Sequence, residues 1–128
     1  MCRILVIDDE HGILHLIRET LTRYGHRVEI AANGQEGIRK FDEGGFDLVI
    51  TDILMPVVDG NGVVRHIREH CRQEIPVIGI SGTPWLSKQS GFDLVLAKPF
   101  RLQTLLESVS LLSRADTSMA AGAYPGYA

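Results

Sequence analysis

Four apolar runs in this chain end on residues able to do chemistry. RILVIDDE carries Ile4 to Ile7 straight into Asp8 and Asp9, and VITDILMPVVDG carries another run into Asp52. Further along, one run stops at Ser81-Gly82 and another passes through Ala97 into Lys98-Pro99. Three carboxylates brought close repel one another, which raises their pKa values or calls for a cation. A hard divalent ion suits them: one or two carboxylates, waters and a substrate phosphate describe Mg²⁺ better than an all-protein calcium cage, and no EF-hand loop is present. Ser81 adds a hydroxyl and Lys98 an ammonium. An oxygen nucleophile, a metal, a cationic side chain and a hydrogen-bond donor are the parts phosphoryl transfer uses, because its catalysis is mostly positioning and charge stabilisation. Asp52 is the candidate nucleophile, forming an acyl phosphate.

The elements that must position these residues alternate in type. Ile4 to Ile7, Val28 to Ala31, Phe46 to Thr51, Ile75 to Ser81 and Leu94 to Ala97 have strand length and β-branched content. Between them, Leu14, Ile17, Leu21 and Tyr24 repeat at helical spacing, as do Leu102, Leu105, Leu106, Val109 and Leu112. Val63, Ile67 and Cys71 mark a third helix, and Ile38 with Phe41 a weaker one after Asn33-Gly34, weakened by Gly37 and Gly44. Alternation of this kind implies right-handed βαβ crossovers and a parallel sheet covered on both faces, an α/β fold. Such sheets bind ligands beyond the carboxyl ends of their strands, where the strand order reverses. Asp8 and Asp9 end the first strand and Asp52 the third, so an acid at the end of a buried strand has a purpose.

Asp8-Asp9, Asp52 within DILMPVVDG, Ser81-Gly82 and Lys98-Pro99-Phe100 together resemble the receiver domain of bacterial response regulators, in order and spacing, from about Arg3 to Arg114. The resemblance implies a flavodoxin-like, doubly wound five-stranded parallel sheet in the order 2-1-3-4-5. It implies that Asp52 takes a phosphoryl group from a partner histidine kinase or phosphotransferase. By the same resemblance, Asp9, Asp52 and the backbone carbonyl of Leu54 bind Mg²⁺ directly, Asp8 acts mainly through water, and Lys98 and Ser81 contact the phosphoryl oxygens. Such a domain catalyses only its own phosphorylation and dephosphorylation, and is not an enzyme acting on a separate substrate.

Two departures from the family pattern stand out. Val95 lies three residues before Lys98, where the family usually has an aromatic ring that rotates inward on activation. The segment from Ser81 to Lys98 is also shorter than usual by about five residues, roughly a turn and a half of helix. The fourth crossover helix is therefore expected to be short or irregular, about two turns from Pro84 to Ser90, with Thr83 as cap and Gly91 as stop. Trp85 lies inside it. Leu54 and Thr83 occupy the positions that tune the lifetime of the phosphorylated state in the family.

Each residue also has a structural reading. An Asp after a strand can cap a helix, Ser81 can serve a turn, and Lys98 can be a solvated charge; only the combination favours chemistry. Asp59-Gly60 reads as a turn capping the third helix, and Pro56 as shaping the loop before it. The pairs His11/His15 and His66/His70 lack the metalloprotease pattern and read as surface residues, and Arg65, Arg68 and Arg72 read as a solvated face. Cys2 and Cys71 have no metal-ligand or disulfide spacing and read as packing residues.

A chain of 128 residues with 45% apolar content suits one soluble domain, residues 1–114. No apolar run has the length of a membrane span or a signal peptide, so a cytoplasmic protein without a membrane partner is expected. The last residues, ADTSMAAGAYPGYA, have no apolar period, and 115–128 reads as a disordered tail in which Tyr124 and Tyr127 are exposed. A net charge of -3 and so short a tail argue against a nucleic-acid partner, leaving output through a downstream protein target. The alternative is a pseudo-receiver, an interaction module working without phosphorylation, but its expected loss of an acid or the lysine is not seen. An aspartyl-nucleophile phosphatase ranks last, because Ile53 and Leu54 follow Asp52 where its DxD signature needs a second acid.

Overall fold

The structure is a computed structural model and describes residues 1–71, 73–84 and 91–113. The apolar runs form five parallel strands: β1 (Arg3–Ile7), β2 (Arg27–Ala31), β3 (Leu48–Asp52), β4 (Val77–Ser81) and β5 (Leu94–Ala97). They pair in the order β2-β1-β3-β4-β5, the flavodoxin-like arrangement expected. The helices among the described residues are α1 (His11–Arg23), α2 (Gly34–Asp42), α3 (Gly60–His70) and α4 (Leu102–Ser113).

Successive strand residues point to opposite faces, and both faces are covered. Ile4, Val6, Ile50 and Ile80 pack with Leu14, Ile17 and Leu21 of α1 and with Leu105 and Val109 of α4. Leu5, Ile7, Val49 and Val77 pack with Phe41 of α2 and with Val63, Val64 and Ile67 of α3. That double burial is why the central strands read as unbroken apolar runs rather than alternating ones. Full burial of one such side chain contributes roughly 1.5–3 kcal/mol. Cys2 packs on the first cluster and Cys71 on the second, both as free thiols.

Caps set where two helices begin. Asn33 accepts a hydrogen bond from Glu36 N at 2.8 Å while the Glu36 carboxylate accepts from Ala32 N at 2.7 Å, so the start of α2 is held from both sides despite its glycines. Asp59 caps α3 by accepting from Gly62 N at 2.9 Å, as the Asp59-Gly60 turn implied.

The strand limits differ slightly from those in the apolar pattern. β3 starts at Leu48 rather than Phe46 and includes Asp52, which lies opposite Ile80 in the register with β4. β4 starts at Val77 rather than Ile75, since Pro76 has no N–H to donate to a ladder. Arg68 is a correction: it is not a merely solvated charge. Its guanidinium donates to Ile75 O at 2.6 Å, to Gly91 O at 2.8 Å and to Asp93 Oδ2 at 2.9 Å, tying α3 to the entries of β4 and β5. His66 is likewise only 21% exposed, its Nε2 lying 2.8 Å from Asp42 Oδ1 and its ring stacked on His70. Arg65 is exposed, and Arg72 lies outside the described residues.

The expected turns from Pro84 to Ser90, Trp85 included, fall outside the described residues apart from Pro84, as does the expected tail at 115–128. Among the described residues, no helix is long and apolar enough to cross a membrane.

Candidate phosphoryl-transfer site

The sheet register brings the chemical residues to one edge. In the sheet order, β1 lies between β2 and β3, so the chain leaves β1 outward and returns on its other side. That reversal opens the sheet at the carboxyl ends of β1 and β3. Asp8 follows β1, its N–H bonded to Ala31 O at 3.1 Å, and Asp52 closes β3. Ser81 ends β4 opposite Ala97, and the next residue, Lys98, donates its N–H to Ser81 O at 2.8 Å.

Lys98 is the hub of the charges. Its Nζ lies 3.1 Å from Glu10 Oε1, 3.4 Å from Asp52 Oδ2 and 3.9 Å from Asp8 Oδ2. The two strand-end acids are almost closed to water, with side chains 1% exposed at Asp8 and 6% at Asp52. Burial raises the pKa of Asp8 to about 6, opposed by the hydrogen bond from Glu10 N–H and reinforced by the charge of Asp52. Burial also raises that of Asp52, against the charge and hydrogen bond of Lys98. For Lys98 burial acts downward, but the bond to Glu10 and the charges of Asp8 and Asp52 prevail and hold it above its ordinary value. The ammonium therefore stays charged where anions gather.

The donor set suits a hard cation. Asp8, Glu10 and Asp52 each offer a carboxylate oxygen, and these oxygens lie within 4.8 Å of one another. Among the described residues, Asp8 Oδ2 is the buried side-chain oxygen without a hydrogen-bond partner. A buried anionic oxygen left this way is costly unless a cation meets it.

Lys98 lies within 4 Å of both Asp8 and Asp52, and Ser81 ends β4 at the same edge of the sheet. Asp9 is exposed and is not among the three acids grouped by their oxygens. The Leu54 side chain is also exposed, at 78%. Glu10 was missed, because nothing in its spacing distinguishes it from an ordinary acid just before a helix. Its one sequence signal was to be a third acid after Asp8-Asp9. Ser81 is 2% exposed, and its Oγ accepts from Thr83 N at 3.0 Å, which holds the hydroxyl at the sheet edge.

The model of the response regulator receiver domain matches residues 4–110. The chain belongs to that family. Its receiver fold is seen in solved structures. A response regulator receiver domain protein from Clostridium thermocellum aligns with a TM-score of 0.84 at 31% identity, covering 93% of this chain and 99% of that one. The response regulator TrrA from Thermotoga maritima, solved in complex with Mg²⁺-BeF, aligns at 0.80 and 35% identity over 88% of this chain and 99% of that one. ResD of Bacillus subtilis (strain 168), a transcriptional regulatory protein, is 36% identical over 120 residues, 89% of this chain and 49% of ResD. The chain spans about half the length of the curated relatives it matches. As a receiver it is a signalling domain of two-component response regulators. The half-buried Val95 sits in β5 opposite Gly79, so this receiver carries no ring at that position.

Proposed function

We propose that this receiver is the phosphoacceptor of a two-component or phosphorelay system, with Asp52 as the residue phosphorylated. What supports the reading best is the company of Asp52: a buried carboxylate at a strand end, 3.4 Å from the Lys98 ammonium, with Ser81 closing the next strand. An Asp52 oxygen attacks the phosphorus of a phosphohistidine on a histidine kinase or phosphotransferase. The P–N bond breaks, the imidazole leaves with its electron pair, and an acyl phosphate forms on Asp52. Lys98 moves from the free carboxylate to a phosphoryl oxygen, and the Ser81 hydroxyl donates to another. Asp8 and Asp52 with a neighbouring acid would hold Mg²⁺, which would offset the phosphate charge.

The domain catalyses only its own phosphorylation and dephosphorylation on this reading. Its output passes to a protein target. The -3 charge is that of this chain alone, and relatives named transcriptional regulators are about twice its length, so a nucleic-acid output in a longer protein is compatible with the reading.

Incubation with a small phosphodonor and Mg²⁺ is expected to add one phosphoryl group, read by intact-mass spectrometry. Chelator or Asp52→Asn should prevent it. Normal uptake by the folded Asp52→Asn chain would overturn the assignment, and no uptake by the parent chain would favour a pseudo-receiver.

A further inference from the structure

We infer that Glu10 is a working residue of this site: it holds Lys98 while the site is empty of metal, and turns to the cation on metal binding, releasing Lys98 for the phosphoryl group. The inference rests on the reading of Asp52 as phosphoacceptor.

Glu10 occupies the N-cap position of α1, where Ser, Thr, Asp or Asn would bond the first-turn N–H groups. Its side chain makes no such bond. The carboxylate instead accepts from Lys98 Nζ at 3.1 Å, across 88 positions of sequence, and of the three acids around Lys98 it is the nearest. Its backbone is aimed by the site itself, since Glu10 N donates to Asp8 Oδ1 at 2.8 Å. That leaves Oδ2 of Asp8, whose side chain is 1% exposed, facing Lys98 at 3.9 Å with no hydrogen-bond partner among the described residues.

One carboxylate cannot serve an ammonium and a metal ion fully at once. The Glu10 oxygen lies within 4.8 Å of those of Asp8 and Asp52, so an ion bound by those two comes within its reach. A divalent charge on hard oxygen ligands outbids a single ammonium for that oxygen. The swing is open to Glu10, whose side chain is 61% exposed, and exposed rotamers exchange in picoseconds to nanoseconds. Lys98, at 23% exposure, stays with the buried acids and is left facing Asp52. Metal binding and the freeing of the phosphate-binding lysine are coupled through this one side chain.

The plain alternative is a partly exposed ion pair of little consequence. Titration calorimetry with MgCl₂ on the full chain separates the two, using Glu10→Ala, Lys98→Met, their combination, and Asp9→Asn, each checked for folding by circular dichroism. Glu10→Ala is expected to weaken Mg²⁺ about tenfold. Lys98→Met should tighten Mg²⁺ in the parent chain, and by at least about threefold less once Glu10 is gone. Unchanged affinity in Glu10→Ala, additive effects in the double variant, or a loss confined to Asp9→Asn each overturns the role of Glu10. Phosphoryl uptake by the parent chain is measured alongside. A parent chain that binds Mg²⁺ with the expected coupling yet takes no phosphoryl group overturns the phosphoacceptor reading instead, and one that binds no Mg²⁺ overturns both.

Discussion

Asp8 carries the sharpest conflict between folding and function, because burial raises its pKa from 3.8 to about 6 and one of its oxygens has no hydrogen-bond partner among the described residues. A carboxylate with a raised folded pKa binds protons more readily folded than unfolded. Its contribution to stability is therefore present below its unfolded pKa and is lost as pH rises through the folded value near 6. At pH 7 without metal the charge costs on the order of 3 kcal/mol. Asp52 is shifted the same way but is hydrogen-bonded to Lys98 and lies nearer it, at 3.4 Å against 3.9 Å for Asp8, so neutralising it removes the stronger ion pair. Asp8→Asn is the cleaner variant. Thermal unfolding in chelator should show it more stable than the parent at pH 7, with the gap closing as pH falls from 7 to 4. The comparison is made between variants because His26, shifted down by burial and by the nearby N-terminus, gains stability with rising pH and would blur a single profile. A gap that is absent or independent of pH would show that the Asp8 charge is not strained. The strand-end acids were legible because a carboxylate closing an apolar run is a conflict visible in one dimension. Glu10 was not, since its role depends on where a flexible side chain meets Lys98 across 88 positions.

The loop between β3 and α3 shows the same tension at the scale of an element. Val58 N donates to Pro56 O at 2.8 Å, closing a γ-turn with Val57 at its centre, and Val57 has φ 67. That is the rare, strained form of the turn, adopted here by a β-branched residue that is 86% exposed. Left-handed backbone costs an L-residue roughly 1–2 kcal/mol, while glycine gives back about 0.5–1 kcal/mol in unfolded-state entropy. Val57→Gly is therefore expected to raise the melting temperature by a few degrees, about 1 kcal/mol or less. A lower melting temperature would mean that the Val57 side chain contributes packing its exposure does not show. Gly60 works oppositely: a Cβ there would stand 2.6 Å from Ile53 Cα and 2.7 Å from Asp52 O, both backbone atoms unable to give way cheaply. Gly60→Ala should lower stability by roughly 1–3 kcal/mol and, by displacing the backbone of Asp52, slow phosphoryl uptake at saturating donor. Unfolding and mass-spectrometric time courses read the two effects separately. The Asp59-Gly60 turn was legible from its residues; the reason the second must be glycine was not, because the clash is with the strand end packed against it. Arg68 escaped the sequence for a like cause, its three acceptors lying well along the chain at Ile75, Gly91 and Asp93.

Across the whole molecule, the two apolar clusters lie on opposite faces of one sheet, and the residues that build them run from Cys2 to Leu112. The alternation of strands and helices made that layering legible, since unbroken apolar runs of strand length and a helical period of 3.6 residues are local signals, whereas the limits of β3 and β4 depended on which neighbours they paired with. α4 completes the first face: Leu105 and Val109 are fully buried with Leu14 and Ile17 of α1, and the family match ends at residue 110. Residues 1–114 are therefore proposed as the unit that folds and reacts. A chain cut after Arg114 should melt within about 2 °C of the full chain and take up a phosphoryl group at the same rate, because every strand end that supplies the site lies within it. Leu105→Ala should instead cost about 2–5 kcal/mol by leaving a cavity between α4 and the sheet, with Mg²⁺ affinity unchanged while the domain remains folded. The pair of measurements tests the boundary from both sides. A large fall in melting temperature on removing residues 115–128 would show that those residues pack on the domain, and the boundary at Arg114 would have to move outward.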